Sequence, residues 1–289
     1  MNYKNNYVYK NNDLFGSYVA GLWEGDGNIN LPKNAKPSIS ITFHKCDTNF
    51  ANYLLNYFAL KTKTNKVGAV YNHKKRNACY LTLYSVKALI CFVNLVRSKL
   101  RTPKAYIINL IIDWLNQKQL TKLKKVILNK RCVSSDAWLA GFIDADGSFA
   151  IRQTFENKIK SIKKLTECAL IIYQRKIDPK TKHTYTKIFK ALSEFLRVNL
   201  NTEKARNPNA VDQYKIKASS ALSKKVLRSY LDKYPLLSSK RLDYESWCSA
   251  DDLMLIKMHY SSNGAEKITK LKRSMNSQRT YYNWDHLNF

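Results

Sequence analysis

SSDAWLAGFIDADGSFAIRQ, residues 134–153, decides how this chain folds: it reads as a capped helix that ends in a pair of acids and runs straight into a strand. Ser134, Ser135 or Asp136 supplies the N-cap oxygen. Nothing stops the helix before Ala145, and Asp146 followed by Gly147 offers a turn that permits positive φ. The residues after it alternate, so that Phe149 and Ile151 face one side of a strand and Ser148, Ala150 and Arg152 the other. Within the helix, Ala137, Gly141 and Ala145 recur every fourth position, a stripe of small residues along which another backbone can approach. Such a stripe asks for a partner helix.

The partner lies in the same chain. Residues 14–31, LFGSYVAGLWEGDGNINL, repeat the pattern: Ser17, Gly21 and Gly25 form the stripe, then Asp26 and Gly27, then an alternating Asn28, Ile29, Asn30 and Leu31. Asp26 and Asp146 stand 120 residues apart. That spacing is too long for a solenoid repeat and implies two pseudo-symmetric halves packed through their matching helices. Each half brings one aspartate to the seam.

At 289 residues the chain is long enough for two cored units, and 45% apolar content with 19 Tyr, 11 Phe and five Trp supports burial. Fifty Lys and Arg against 21 Asp and Glu leave a net charge of +29, spread along the chain, which is the balance of a polyanion binder. An AT-rich coding genome inflates lysine but does not deplete acids to this extent. The six cysteines contain no CxxC pair and fall mostly in apolar runs, as buried thiols in a reducing compartment do. The N-terminal dozen residues have no secretory hydrophobic core, and no apolar run is long enough to span a membrane.

In chain order, residues 1–12 form a polar tail and 13–116 the first half. There, residues 38–44 alternate as a half-buried strand, 47–59 read as a helix capped by Asp47, and 66–72 with 78–84 as a hairpin closed by the basic HKKRN turn. Ser85 caps a helix to about residue 100, and Pro103 breaks it before residues 104–116. Residues 117–133 carry six Lys or Arg and no acid, and form the linker. The second half, 134–250, repeats the order: a strand at 167–174, a helix at 185–198, a hairpin at 204–218 interrupted by Asn207, Pro208 and Asn209, and a helix at 220–234. Pro235 precedes Lys240 as Pro103 precedes Lys104. The fold class is therefore α+β, two αββαββα halves, each with a sheet covered by helices on one face and bare on the other. Residues 251–289 form a C-terminal extension with no counterpart in the repeat.

VAGLWEGDG (19–27) and LAGFIDADG (139–147) resemble the paired signature of the LAGLIDADG homing endonucleases. SKLRTPK (98–104), YQRKID (173–178) and YPLLSSKRLDY (234–244) resemble segments of double-motif members encoded in mitochondrial group I introns. The resemblance covers roughly residues 14–250. It implies a saddle of two sheets over DNA, motif helices at its centre, a monomer, a mitochondrial location, and Mg²⁺-dependent cleavage of both strands of a long asymmetric site.

Two carboxylates about 4 Å apart repel by roughly 4 kcal/mol at an effective dielectric of 20, so bringing Asp26 and Asp146 together makes sense with cations between them. Mg²⁺ suits the Asp carboxylates, the carbonyls of Gly25 and Ala145, phosphate oxygens and water. Acids are disfavoured at helix C-termini, so an acid repeated there points to function instead of helix termination. Glu24 and Asp144 are expected to cap or pair near the helix bases. By family analogy Lys104 and Lys240 stabilise charge around the scissile phosphates, and His44 and Gln174 order active-site water; His44 replaces the usual Gln. Base reading falls to Asn28, Asn30, Ser38, Ser40, Thr42, Ser148, Arg152, Lys215 and Lys217 on the bare faces. An alternative is a maturase that binds its own group I intron RNA on the same fold, with or without cleavage; it does not need both acids, although a bifunctional protein keeps both. A non-catalytic DNA-binding regulator is opposed by the paired acids, and no flanking splicing domain suggests an intein.

Overall fold

A computed structural model describes residues 11–33, 35–154, 165–205, 207 and 210–287. The first half runs α1 (Asn12–Asp26), β1 (Gly27–Asn30), β2 (Ser38–His44), α2 (Thr48–Thr62), β3 (Gly68–Asn72), β4 (Ala78–Leu83), α3 (Val86–Val96) and α4 (Ile108–Gln117). The second runs α5 (Trp138–Asp146), β5 (Gly147–Thr154), β6 (Leu165–Arg175), α6 (Thr186–Phe195), β7 (Asn201–Glu203), β8 (Gln213–Ala218), α7 (Ala221–Lys233) and α8 (Lys240–Leu255), followed by α9 (Ser262–Arg273). Each half holds a four-stranded antiparallel sheet, ordered β1-β2-β4-β3 and β5-β6-β8-β7. The class is α+β, as the duplicated pattern implies.

Alternation places the sheet faces. Ile39, Ile41 and Phe43 of β2 are buried with Phe50, Leu54 and Phe58 of α2, while Ser38, Ser40 and Thr42 stay partly exposed on the other face. Ser85 and Ser220 cap α3 and α7 through their hydroxyls, accepting from Ala88 N–H and Ser223 N–H. The two halves share one continuous core across the α1–α5 seam, where Trp138 stacks on Phe142 at 5.0 Å.

The seam needs its glycines for space. A Cβ at Gly21 would lie 1.9 Å from the Trp138 carbonyl oxygen, and one at Gly141 would lie 1.9 Å from that of Tyr18. A Cβ at Gly25 would lie 2.2 Å from the Cβ of Ala145. Gly27 and Gly147 do not serve the expected purpose: both have φ of −80°, and no described glycine has positive φ. A Cβ at Gly27 would instead press on Trp23, and one at Gly147 on Ile143, so each is there to let the strand leave tightly against its own helix.

Other expectations shift. Among the three candidate caps of α5, Asp136 is the one whose carboxylate accepts from Trp138 N–H. Asp47 does not cap α2; its carboxylate crosses to the second half and accepts from Ser239 N–H at 2.8 Å. The strand expected from residue 204 is instead the three-residue β7, starting at Asn201, and Pro208 and Asn209 lie outside the described residues. Residue 250, the expected end of the second half, falls inside α8. The basic linker is tied to the first half: Val126 is buried and donates its N–H to Asn109, and Leu123 N–H donates to Asn116.

Candidate active site

Helices α1 and α5 end side by side, and each delivers an aspartate at its last residue. Gly25 lies so close to Asp146 that a Cβ there would be 3.4 Å from the Asp146 carboxyl. Asp26 keeps open surface toward the cleft, yet the protein packed round its carboxylate penalises the charge and raises its pKa, against the opposing pull of Lys240 and Lys104. Burial pushes Asp146 up to about 7, and the charge of Asp26 adds to the rise. Gln174 Nε2 donates to Asp146 Oδ2 at 3.0 Å and fixes that carboxylate from the end of β6.

Two lysines flank the acids. Lys104 donates to the Gly25 carbonyl at 2.7 Å, and Lys240 donates to the carbonyls of Ile143, Asp144 and Ala145 at 2.9, 2.8 and 3.2 Å. The carbonyls of Gly25, Asp144 and Ala145 lie in the last turn of a helix, where cations are favoured, and that of Ile143 also accepts from Gly147 N–H. Burial pulls both ammonium groups down in pKa, and Asp26 and Asp146 oppose that fall.

The first acid of each motif holds the neighbouring lysine's turn. Glu24, fully buried, accepts from Arg101 N–H, Thr102 N–H, the Thr102 hydroxyl and the Trp138 indole. Asp144 accepts from Leu237 N–H, Ser238 N–H, the Ser238 hydroxyl and the Tyr18 hydroxyl. Each carboxylate thus grips the turn before its own half's lysine and takes one donor from the opposite motif helix. Burial pushes Glu24 up to about 7 despite those donors.

His44 departs from its twin. It lines the same cavity of about 530 Å³ as Asp26, but its ring nitrogens face Cys46 Sγ at 2.9 Å and Asn77 at 3.0 Å. Asn77 belongs to the basic turn between β3 and β4, and its closeness to the site is set by strand register. On the open faces, Asn28, Asn30, Ser148 and Arg152 are exposed, and Ser38, Ser40 and Thr42 partly so. Lys215 and Lys217 are on the open face but bonded to Glu203 and Glu167 of adjacent strands. Lys180 meets Asn28 from the other half at 2.6 Å.

The LAGLIDADG endonuclease family model matches residues 139–250. A cox1 intron-2 37.2 kDa protein of Schizosaccharomyces pombe is 30% identical over 262 residues, spanning 90% of this chain and 72% of its own length. The chain belongs to the LAGLIDADG endonuclease family. A relative in Saccharomyces cerevisiae, intron-encoded DNA endonuclease aI3, is 29% identical over 314 residues, covering 96% of this chain and 73% of its own. The intron-encoded RNA maturase bI4 of the same organism matches less: 27% over 166 residues, 55% of this chain and 23% of the maturase. The solved structure of I-SmaMI bound to uncleaved DNA with calcium shares the fold with a TM-score of 0.68 at 18% identity, over 90% of this chain and 98% of that one. The matched residues take in α5 from Leu139 onward, and α1 is its copy in the first half.

Proposed function

We propose that this chain is a homing endonuclease, cutting both strands of a long asymmetric DNA target by Mg²⁺-dependent phosphodiester hydrolysis. One observation carries the proposal: two matching helices, packed backbone to backbone, bring Asp26 and Asp146 to a common seam flanked by two lysines. A structural pair of acids would not be placed where the charge of Asp26 adds to the cost of ionising Asp146.

The donor set fits a hard cation. It offers two carboxylates and two helix-end carbonyls, all oxygen, and among the described residues no cluster of three His, Cys, Asp or Glu builds a closed cage. Mg²⁺ favours such open oxygen sites, because it keeps several waters and takes phosphate oxygens as ligands. When bound, it would supply charge neutralisation at the phosphodiester and lower the pKa of water. Asp26 and Asp146 would hold it, together with the carbonyls of Gly25 and Ala145, which here accept from Lys104 and Lys240.

The chain's own groups do the rest. Gln174 holds Asp146 in one orientation. Lys104 and Lys240, fixed by the turns that Glu24 and Asp144 grip, present positive charge to the phosphate as its negative charge grows. His44, supported by Asn77, orders water or touches phosphate at the first site. Water adds to phosphorus and the 3′ oxygen leaves with a proton, giving 5′ phosphate and 3′ hydroxyl ends. The halves, 13–116 and 134–250, joined by the linker 117–133, lay their open faces in the major groove. There Asn28, Asn30, Ser38, Ser40, Thr42, Ser148 and Arg152 meet base edges, and Lys215 and Lys217 exchange their glutamate partners for DNA. The relatives' intron origin supports a mitochondrial reading frame within a group I intron.

A plasmid carrying a target selected from a randomised library tests this. Linearisation should require Mg²⁺, stop with EDTA, and yield ends that ligate without prior phosphorylation. Cutting that persists in EDTA, or 3′ phosphate ends, would overturn the chemistry. The match to an RNA maturase supports a second activity, intron RNA binding, which should survive loss of either acid.

A further inference from the structure

We propose that Arg279, carried by the C-terminal extension, is a positioning residue for Lys240. The extension returns from α9 and grips the chain on both sides of that lysine. His286 Nε2 donates to the Leu237 carbonyl at 2.9 Å, Arg279 Nη1 to the Ser239 carbonyl at 2.8 Å, and Arg241 to the Asn283 carbonyl at 3.4 Å. Arg279 Nη2 also donates to Asp243, one turn into α8, and Asn276 N–H reaches the same carboxylate at 2.7 Å. Arg279 and Asp243 are 8% and 7% exposed, so a buried guanidinium bridges the residue before Lys240 to the first turn after it. A buried ion pair adds little net stability once desolvation is counted, whereas its two-point geometry fixes the backbone it spans.

The first half has a counterpart built from different chain. Before Lys104, the linker holds the turn: Asn129 N–H donates to the Leu100 carbonyl at 2.7 Å, and Arg101 donates to the Arg131 carbonyl. Each lysine-bearing turn is thus gripped from inside by a motif acid and from outside by a strap. The outer strap of the second half is the segment that has no partner in the internal repeat.

This inference rests on the nuclease reading, and the test separates the two. Arg279→Ala and Arg279→Lys are compared with Lys240→Met on the selected target, following cleavage of each strand separately, DNA affinity and thermal unfolding. Arg279→Ala should slow by about 10-fold to 100-fold the same single strand that Lys240→Met slows, as expected for a displaced charged group. The other strand and the affinity should stay at parental values, and Arg279→Lys should fall between. Equal slowing of both strands, or parental rates on both, overturns the assignment. If the alanine variant does not fold, the lysine variant carries the same strand comparison. A parent protein that cuts neither strand overturns the nuclease reading and this inference with it, whereas a cutting parent with no strand bias in the variants overturns this inference alone.

Discussion

Asp146 binds its proton more tightly in the folded protein than in the unfolded chain, because burial and the nearby Asp26 both oppose its ionisation. The stabilisation this gives is complete below the ordinary carboxylate pKa of 3.8 and is lost as pH rises through about 7. Metal-free protein should therefore lose stability across that window, and Asp146→Asn should flatten the slope. Urea titrations at stepped pH in EDTA check this; an unchanged slope in Asp146→Asn would place the charge penalty elsewhere. Asp144 acts differently, as an acceptor for two amides and two hydroxyls. Asp144→Ala should cost more than about 3 kcal/mol, since each buried donor left unpaired costs roughly 1–3 kcal/mol. A variant as stable as the parent in urea would show that the Lys240 turn holds without it.

The α1–α5 pair makes a prediction whose sign is diagnostic. On an isolated helix, Gly141→Ala gains about 1 kcal/mol from propensity. In this seam a methyl group at Gly141 meets the Tyr18 carbonyl at 1.9 Å, and backbone cannot step aside cheaply. Gly141→Ala and Gly21→Ala should each destabilise by about 1–3 kcal/mol or more through overpacking. Urea midpoints that rise in either variant would rule out the close crossing. These helices, and the element order after them, were legible because each local signal agrees with its copy: small residues at every fourth position, then an acid, glycine and alternation. What stayed hidden depends on register and on distant chain. Nothing around Asp47 says that its carboxylate serves Ser239 in place of its own helix. Cross-strand pairing, not local pattern, gives Lys215 and Lys217 their glutamates, and brings Asn77 to His44. Gly27 and Gly147 were right as positions, but the constraint is contact with Trp23 and Ile143, not positive φ. Arg279 lies in a segment without a repeat to compare, so its reach to Ser239 left no trace in the pattern.

Over the whole molecule, a charge of +29 and two open sheet faces suit the DNA binding that the proposed function requires. If about 6 to 10 phosphates are neutralised, affinity should fall roughly 10³-fold to 10⁵-fold between 50 and 200 mM salt. A flat salt titration would remove nucleic acid as the principal partner. Two copies of one helix end at Asp26 and Asp146, and the proposed function makes that pair a single cleavage centre. Supercoiled plasmid bearing the selected target tests this directly, with parent, Asp26→Asn and Asp146→Asn compared for binding and for linear product in Mg²⁺. The parent should linearise the plasmid, and both variants should bind it comparably yet yield no linear DNA. Linearisation at the parental rate by either variant would contradict the account.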